Sequence, residues 1–133
     1  MFRKLFSRKF APLTGAPPVR RLKTYSAQSG YVYQYFYAGH RNTRTNDGDC
    51  DEFVFHISAD RKEWHHTSVY VSEAAVEAWE QANARQLSQT ERYAIAKMAL
   101  FQAFDERASP ALMKSAVPVQ SEILTAVLET LGL

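Results

Sequence analysis

Tyrosine recurs at every second position from residue 31 to residue 37, and this alternation constrains the fold more than any other feature of the chain. Successive side chains of a β-strand point to opposite faces, so Gly30–Ala38 is predicted to be a strand with its tyrosines on one face. Val32 and Phe36 lie on the other face. A sheet covered by helices on one side would therefore leave an apolar face for a partner or for self-association.

Two further segments alternate in the same way. They are Glu52–Ser58 and His65–Val71, separated by a turn at residues 59–64. Aligning their apolar faces puts Phe55 opposite Thr67, and it also puts Phe53 opposite Val69, Ile57 opposite His65 and His56 opposite His66. The stretch 39–51 is rich in Asn, Asp and Gly, so a long loop is predicted there.

Helical signals follow the strand signals. Ser72 is predicted to cap a helix at Glu73–Ala84, and Ser88 with Glu91 forms a capping box for a helix at Gln89–Glu106. A third helix is predicted at Gln120–Leu131 from its apolar stripe. Strands first and helices later indicate an α+β fold, here a three-stranded antiparallel sheet followed by two to four helices packed on one face.

Charge divides the chain into two predicted parts. Residues 1–24 carry seven basic residues and no acidic one, whereas residues 25–133 carry nine basic against fourteen acidic residues, a net charge of −5. Prolines 12, 17 and 18 interrupt any helix in the first part. We therefore expect an extended basic N-terminal arm at 1–24 and a single α+β domain at 25–133.

The arm and the tyrosine row predict a binding role. The start of the arm mixes apolar and basic side chains at helical spacing, but so short a helix is marginal in water. We therefore expect that helix to form only against a partner surface. The prediction is a non-catalytic accessory or adaptor subunit that docks into a larger protein assembly, which could be membrane-associated. The predicted partner-binding residues are Phe2, Arg3, Lys4, Leu5, Phe6, Arg8, Lys9, Phe10, Arg20, Arg21, Tyr31, Tyr33, Tyr35 and Tyr37.

Other readings of the same residues stay open. Basic side chains with aromatic ones also suit an anionic membrane surface or a nucleic acid, and a tyrosine row can stack bases. The competing interpretation of that row is that its rings pack the core. A homo-oligomer formed through the uncovered sheet face is a further alternative.

A small metal-dependent enzyme is the remaining alternative, with His56 and His66 as weak candidate ligands. A metal needs three or four ligands in a set geometry, and only two are placed, so neither a metal nor a cofactor is expected. Residues 47–58 do not follow the calcium-loop spacing, because position 12 is Ser58. Acidic neighbours would raise the pKa of the Cys50 thiol, which argues against a cysteine nucleophile.

Location is predicted from what is missing in the sequence. A lone cysteine excludes an internal disulfide, no apolar run reaches the roughly 20 residues of a membrane helix, and the first residues lack a secretory core. We expect a cytoplasmic protein, with peripheral attachment to a membrane as the alternative. In a eukaryote, the first residues would resemble a mitochondrial presequence.

Overall fold

A computed structural model describes residues 11–133, which form five strands, three α-helices and one short 3-10 helix. The α+β class is confirmed, but three strands was the wrong number. The strands are β1 (Lys23–Ser26), β2 (Val32–Thr45), β3 (Gly48–Ser58), β4 (His65–Ser72) and β5 (Val117–Val119). The helices are α1 (Glu73–Asn83), α2 (Gln89–Glu106) and α3 (Ser121–Thr130), with the 3-10 helix at Pro110–Lys114.

The sheet is mixed, and its spatial order follows the sequence from β1 to β5. Strands β1 to β4 pair antiparallel, whereas β5 pairs parallel to β4. The prediction of a purely antiparallel sheet was therefore wrong at one edge. Both missed strands are edge strands of three or four residues, and such short segments are too brief to show an alternating pattern.

The predicted loop at residues 39–51 is instead the end of a long hairpin between β2 and β3. Opposite charges face each other across it: the Arg44 guanidinium lies 2.9 Å from the Asp49 carboxylate. Such cross-strand pairs support a polar ladder. Gly48 has a φ of +110°, so the tight turn at residues 46–47 uses the backbone freedom of glycine.

The predicted pairing of β3 with β4 is confirmed, including His56 opposite His66 and Phe55 opposite Thr67. Phe53, Phe55 and Ile57 are fully buried on one side of the sheet. This side also carries Val69 and Val71, and the helices cover it to form the core. Burial of these side chains is the main source of stability for the domain.

Helices α1 and α2 begin where the sequence predicts, and α3 begins one residue later, at Ser121. Ser72 accepts a hydrogen bond from the Ala75 amide at 3.2 Å, and Ser88 and Glu91 form the reciprocal capping box. Helix α2 has the predicted bounds, while α1 and α3 are one or two residues shorter than predicted. None of the helices within residues 11–133 combines the length and apolar character needed to cross a membrane.

The C-terminal end of α2 holds β1 in place. The Tyr25 ring stacks on Phe101 with centroids 4.4 Å apart. Asp105 accepts hydrogen bonds from the Tyr25 hydroxyl at 2.8 Å and from the Gln28 amide at 2.9 Å. The predicted boundary after residue 24 falls inside β1, where Thr24 pairs with Gln34, so the arm leaves the domain as an edge strand.

Candidate functional site

A pocket of about 350 Å³ opens where the chain before β1 runs beside β2 and the start of α2. Its floor is aromatic and its rim is polar or cationic. Among residues 11–133, no acidic residue, serine or cysteine lines it. Its lining residues are Gly15, Pro17, Arg21, Lys23, Tyr35, Tyr37, His40, Gln89, Thr90 and Tyr93.

Two backbone hydrogen bonds attach the first described residues to β2. The Thr14 amide donates to the His40 carbonyl at 2.9 Å, and the His40 amide donates to the Thr14 carbonyl at 2.8 Å. The approach is so close that a Cβ on Gly39 would lie 2.8 Å from the Thr14 carbonyl oxygen. Gly39 also has a φ of +123°, so this crossing requires glycine for both reasons.

A β-bulge turns His40 towards the pocket. The register between β2 and β3 shifts between Tyr37 and Gly39, which pairs His40 with Phe53 on the helix-covered side. Without the extra residue, strict alternation would place His40 on the opposite face. Sequence reasoning missed this residue because it placed 39–51 in a loop. The β-branched Thr43 and Thr45 were the available signal for a longer strand.

His40 is oriented by a buried carboxylate. Its Nδ1 lies 3.2 Å from an Asp51 oxygen, and Asp51 is only 3% exposed. Because an ionised carboxylate accepts hydrogen bonds only, Nδ1 carries the proton. The other ring nitrogen, Nε2, lies 3.5 Å from the Gln89 side-chain nitrogen at the pocket. When Nδ1 donates to Asp51 and the ring carries a single proton, Nε2 can accept a hydrogen bond from a group bound in the pocket.

Arg92 lies behind this pair and joins it to α1. Its guanidinium contacts both Glu73 oxygens at 3.1 and 3.2 Å and lies 4.0 Å from Asp51. Its other terminal nitrogen lies 4.0 Å from Glu80, so Arg92 partly compensates three carboxylates. Such a network holds its members in one arrangement, because removing one partner leaves a charge uncompensated.

Within the described part of the chain, neither the two lining cations nor Lys97, which lies next to the pocket without lining it, has an acidic partner. In residues 11–133, no carboxylate oxygen lies within 4.0 Å of the side-chain nitrogens of Arg21, Lys23 or Lys97. Burial lowers the pKa of Lys97, and the nearby Lys23 charge lowers it further. Lys97 also lies over Tyr93, with its Nζ 5.9 Å from the ring centroid.

Three tyrosines form the pocket floor. The rings of Tyr37 and Tyr93 lie with centroids 4.7 Å apart. Burial raises the pKa of both hydroxyls and that of Tyr35, and for Tyr37 the Asp51 charge acts in the same direction. The floor is therefore neutral at physiological pH. Its hydroxyls can donate hydrogen bonds while the rings supply apolar contact.

The predicted tyrosine row is mostly inside the protein. Tyr33 and Tyr35 are 1% and 4% exposed, and Tyr33 stacks on Phe104 with centroids 4.2 Å apart. Tyr37 is half-buried, and only Tyr31, before β2, is exposed. A nucleobase or partner protein cannot stack on Tyr33 or Tyr35 in the folded domain, because α2 already covers them.

The predicted partner-binding residues of the arm fall into three groups. Arg21 lines the pocket. Arg20 turns to the other face of the sheet, with its guanidinium carbon 4.3 Å from the Phe36 ring centroid. The remaining candidates lie outside the described residues; they are Phe2, Arg3, Lys4, Leu5, Phe6, Arg8, Lys9 and Phe10.

The two candidate metal ligands do meet, as the register predicts. The rings of His56 and His66 lie with centroids 4.0 Å apart, beside Phe36. Burial lowers the pKa of His56, and the charges of His66 and Arg20 lower it further. Within residues 11–133, no group of three or more His, Cys, Asp or Glu side chains could hold a metal ion.

The acidic stretch before and within β3 is structural. Asp51 pairs with His40, and Glu52 accepts a hydrogen bond from Arg41 at 2.9 Å while only 3% exposed. Cys50 is buried, and this burial raises the pKa of its thiol, which keeps it in the unreactive protonated form.

Comparisons of the chain with protein-family models, with curated proteins and with solved structures found no match.

Proposed function

We propose that the protein is a non-catalytic accessory protein that docks onto an acidic surface of another protein through its basic N-terminal arm. One observation carries the proposal. Val19 and Leu22 are 72% and 56% exposed, and the cation Arg20, which does not line the pocket, lies between them in the sequence.

This composition suits a protein interface. Two large apolar side chains held in water gain free energy when a partner covers them, at roughly 25 cal/mol per Å² buried. Arg20 between them and the basic residues at positions 3, 4, 8 and 9 of the arm favour a partner of opposite charge and speed the encounter. The segment Val19–Lys23 lies where the arm enters β1. A partner bound there would therefore hold the whole domain in position.

The proposed interface does not include the tyrosine row. Tyr33 and Tyr35 are buried under α2, so the interface we propose consists of Val19, Arg20 and Leu22 together with the predicted arm residues 2–10. It also requires no chemistry at His56 or His66.

The test is co-purification of the full-length protein with its partner from its native cells, followed by reconstitution with the identified partner. We expect Val19→Ser/Leu22→Ser and Arg20→Gln to weaken binding about tenfold or more. Arg61→Gln/Lys62→Gln is the matched control, because these exposed cations lie in the turn after β3. It should bind like the unaltered protein.

Two direct measurements separate this proposal from its rivals. Full-length protein is mixed with single-stranded RNA and, separately, with vesicles containing phosphatidylserine, at low and physiological salt. Tight binding to either that depends on Val19 and Leu22, with no acidic protein partner recovered, would assign the surface to nucleic acid or membrane and refute the proposal.

A further inference from the structure

We propose that the pocket beside β2 is a binding site for a small organic phosphate, a phosphate monoester with a ring-shaped or planar body. This site is separate from the interface proposed above. It lies on the helix-covered side of the sheet, whereas the Arg20 side chain lies over Phe36 on the other side.

The charge of the lining selects an anion. Among residues 11–133, none of the pocket-lining residues is acidic, and two of them, Arg21 and Lys23, are cations supplied by the basic segment before residue 25. Lys97 adds a third positive group next to Lys23. Crowded like charges without a carboxylate repel one another, and a bound anion relieves this repulsion.

More than one uncompensated cation favours a dianion over a single carboxylate. A phosphate monoester carries close to two negative charges at neutral pH and offers several strong acceptor oxygens. Arginine and lysine are the side chains that most often bind such groups. The Thr90 hydroxyl and the Gln89 side-chain amide at the same rim supply neutral donors.

The rest of the pocket suits the organic part of the ligand. Its volume of about 350 Å³ lies at the lower end of the range for small-molecule sites. Tyr37 and Tyr93 offer apolar ring surface for a planar or ring-shaped body. The Nε2 of His40, fixed in place by Asp51, offers an acceptor for a ligand hydroxyl. A cationic rim, an aromatic floor and an oriented acceptor together describe a sugar or aryl phosphate.

The experiment is isothermal titration of the full-length protein at low salt with three probes: adenosine 5′-monophosphate, glucose 6-phosphate and p-nitrophenyl phosphate. We expect at least one to bind saturably with one site per chain. Gln89→Glu should weaken that binding about tenfold or more by placing a carboxylate at the rim. The substitution should not harm folding, because an acidic residue is favourable in the first turn of a helix.

Three comparisons make the outcome decisive. Gln81→Glu, which adds the same charge at an exposed position of α1, should bind like the unaltered protein. Lys23→Gln should weaken binding about as much as Gln89→Glu. Val19→Ser/Leu22→Ser should bind the phosphates normally, so failure of the docking proposal leaves this one intact. Absence of saturable binding by all three probes, equal loss in Gln81→Glu, or binding of benzoate as tight as that of the phosphates would overturn the proposal.

Discussion

Removing the Asp105 carboxylate should loosen β1 from the domain without unfolding it. Asp105 is the hydrogen-bond acceptor for both the Tyr25 hydroxyl and the Gln28 amide, at 2.8 and 2.9 Å. Both donors belong to the hairpin that connects the arm to β2. Asp105→Ala therefore removes two hydrogen bonds between this hairpin and α2. It leaves in place the aromatic stacking of Tyr25 and the hydrogen bond from the Ser29 hydroxyl to the Phe104 carbonyl at 2.9 Å.

The magnitude follows from these contacts. A hydrogen bond to a charged group contributes about 1.5–3 kcal/mol to stability. Asp105 is half-buried and water can replace part of each bond, so the two together should amount to about 2 kcal/mol. The free energy of unfolding should fall by that amount, which corresponds to a decrease in Tm of about 8 °C for a domain of this size.

Tyr25→Phe isolates one of the two bonds, because it deletes the hydroxyl and keeps the ring that stacks on Phe101. We expect it to cost about 1 kcal/mol. In the double variant the hydroxyl and carboxylate are both absent, so the two losses should overlap by about 1 kcal/mol. Urea unfolding followed by circular dichroism measures each value, and amide hydrogen exchange reports whether β1 loses protection.

Glu106→Ala is the matched control, since its carboxylate is adjacent on α2 and exposed. It should change stability by less than about 0.5 kcal/mol. The reasoning is refuted if Asp105→Ala costs no more than Glu106→Ala, or if the losses for Tyr25→Phe and Asp105→Ala simply add. Either result would mean that β1 is held by stacking and sheet pairing alone.

Two further predictions concern buried polar groups. The Tyr33 hydroxyl is buried without a hydrogen-bond partner among residues 11–133, so Tyr33→Phe should raise the free energy of unfolding by about 1 kcal/mol in urea titrations, and a loss of that size would show that the hydroxyl has a partner. The pKa of His56 is lowered by burial and by His66 and Arg20, so folding favours its neutral form. Stability should therefore be fully present above the unfolded pKa of about 6.5 and should decrease as the pH falls through the lower folded pKa. Chemical denaturation between pH 5 and 8 should show this slope reduced in His56→Gln, and an unchanged slope would contradict the assignment to His56.

The sequence by itself determined the features that depend on near neighbours or on a strong period. The helix starts at Ser72 and Ser88 follow from capping chemistry, which acts within one turn. The pairing of His56 with His66 follows from aligning two short apolar faces across one turn. The burial of one strand face was also available as the competing interpretation of the tyrosine row, because alternating aromatic residues usually pack a core.

Only the tertiary structure decided which residues line the pocket. The four residues of β1 and the three of β5 are too few to show a periodic pattern, so both edge strands depend on the neighbouring strand that pairs with them. One extra residue in β2 reverses the direction of His40, and alternation alone predicts the opposite face. Arg21, His40 and Tyr93 come from a connecting segment, a strand and a helix that are far apart in sequence, and they meet only because those elements pack together.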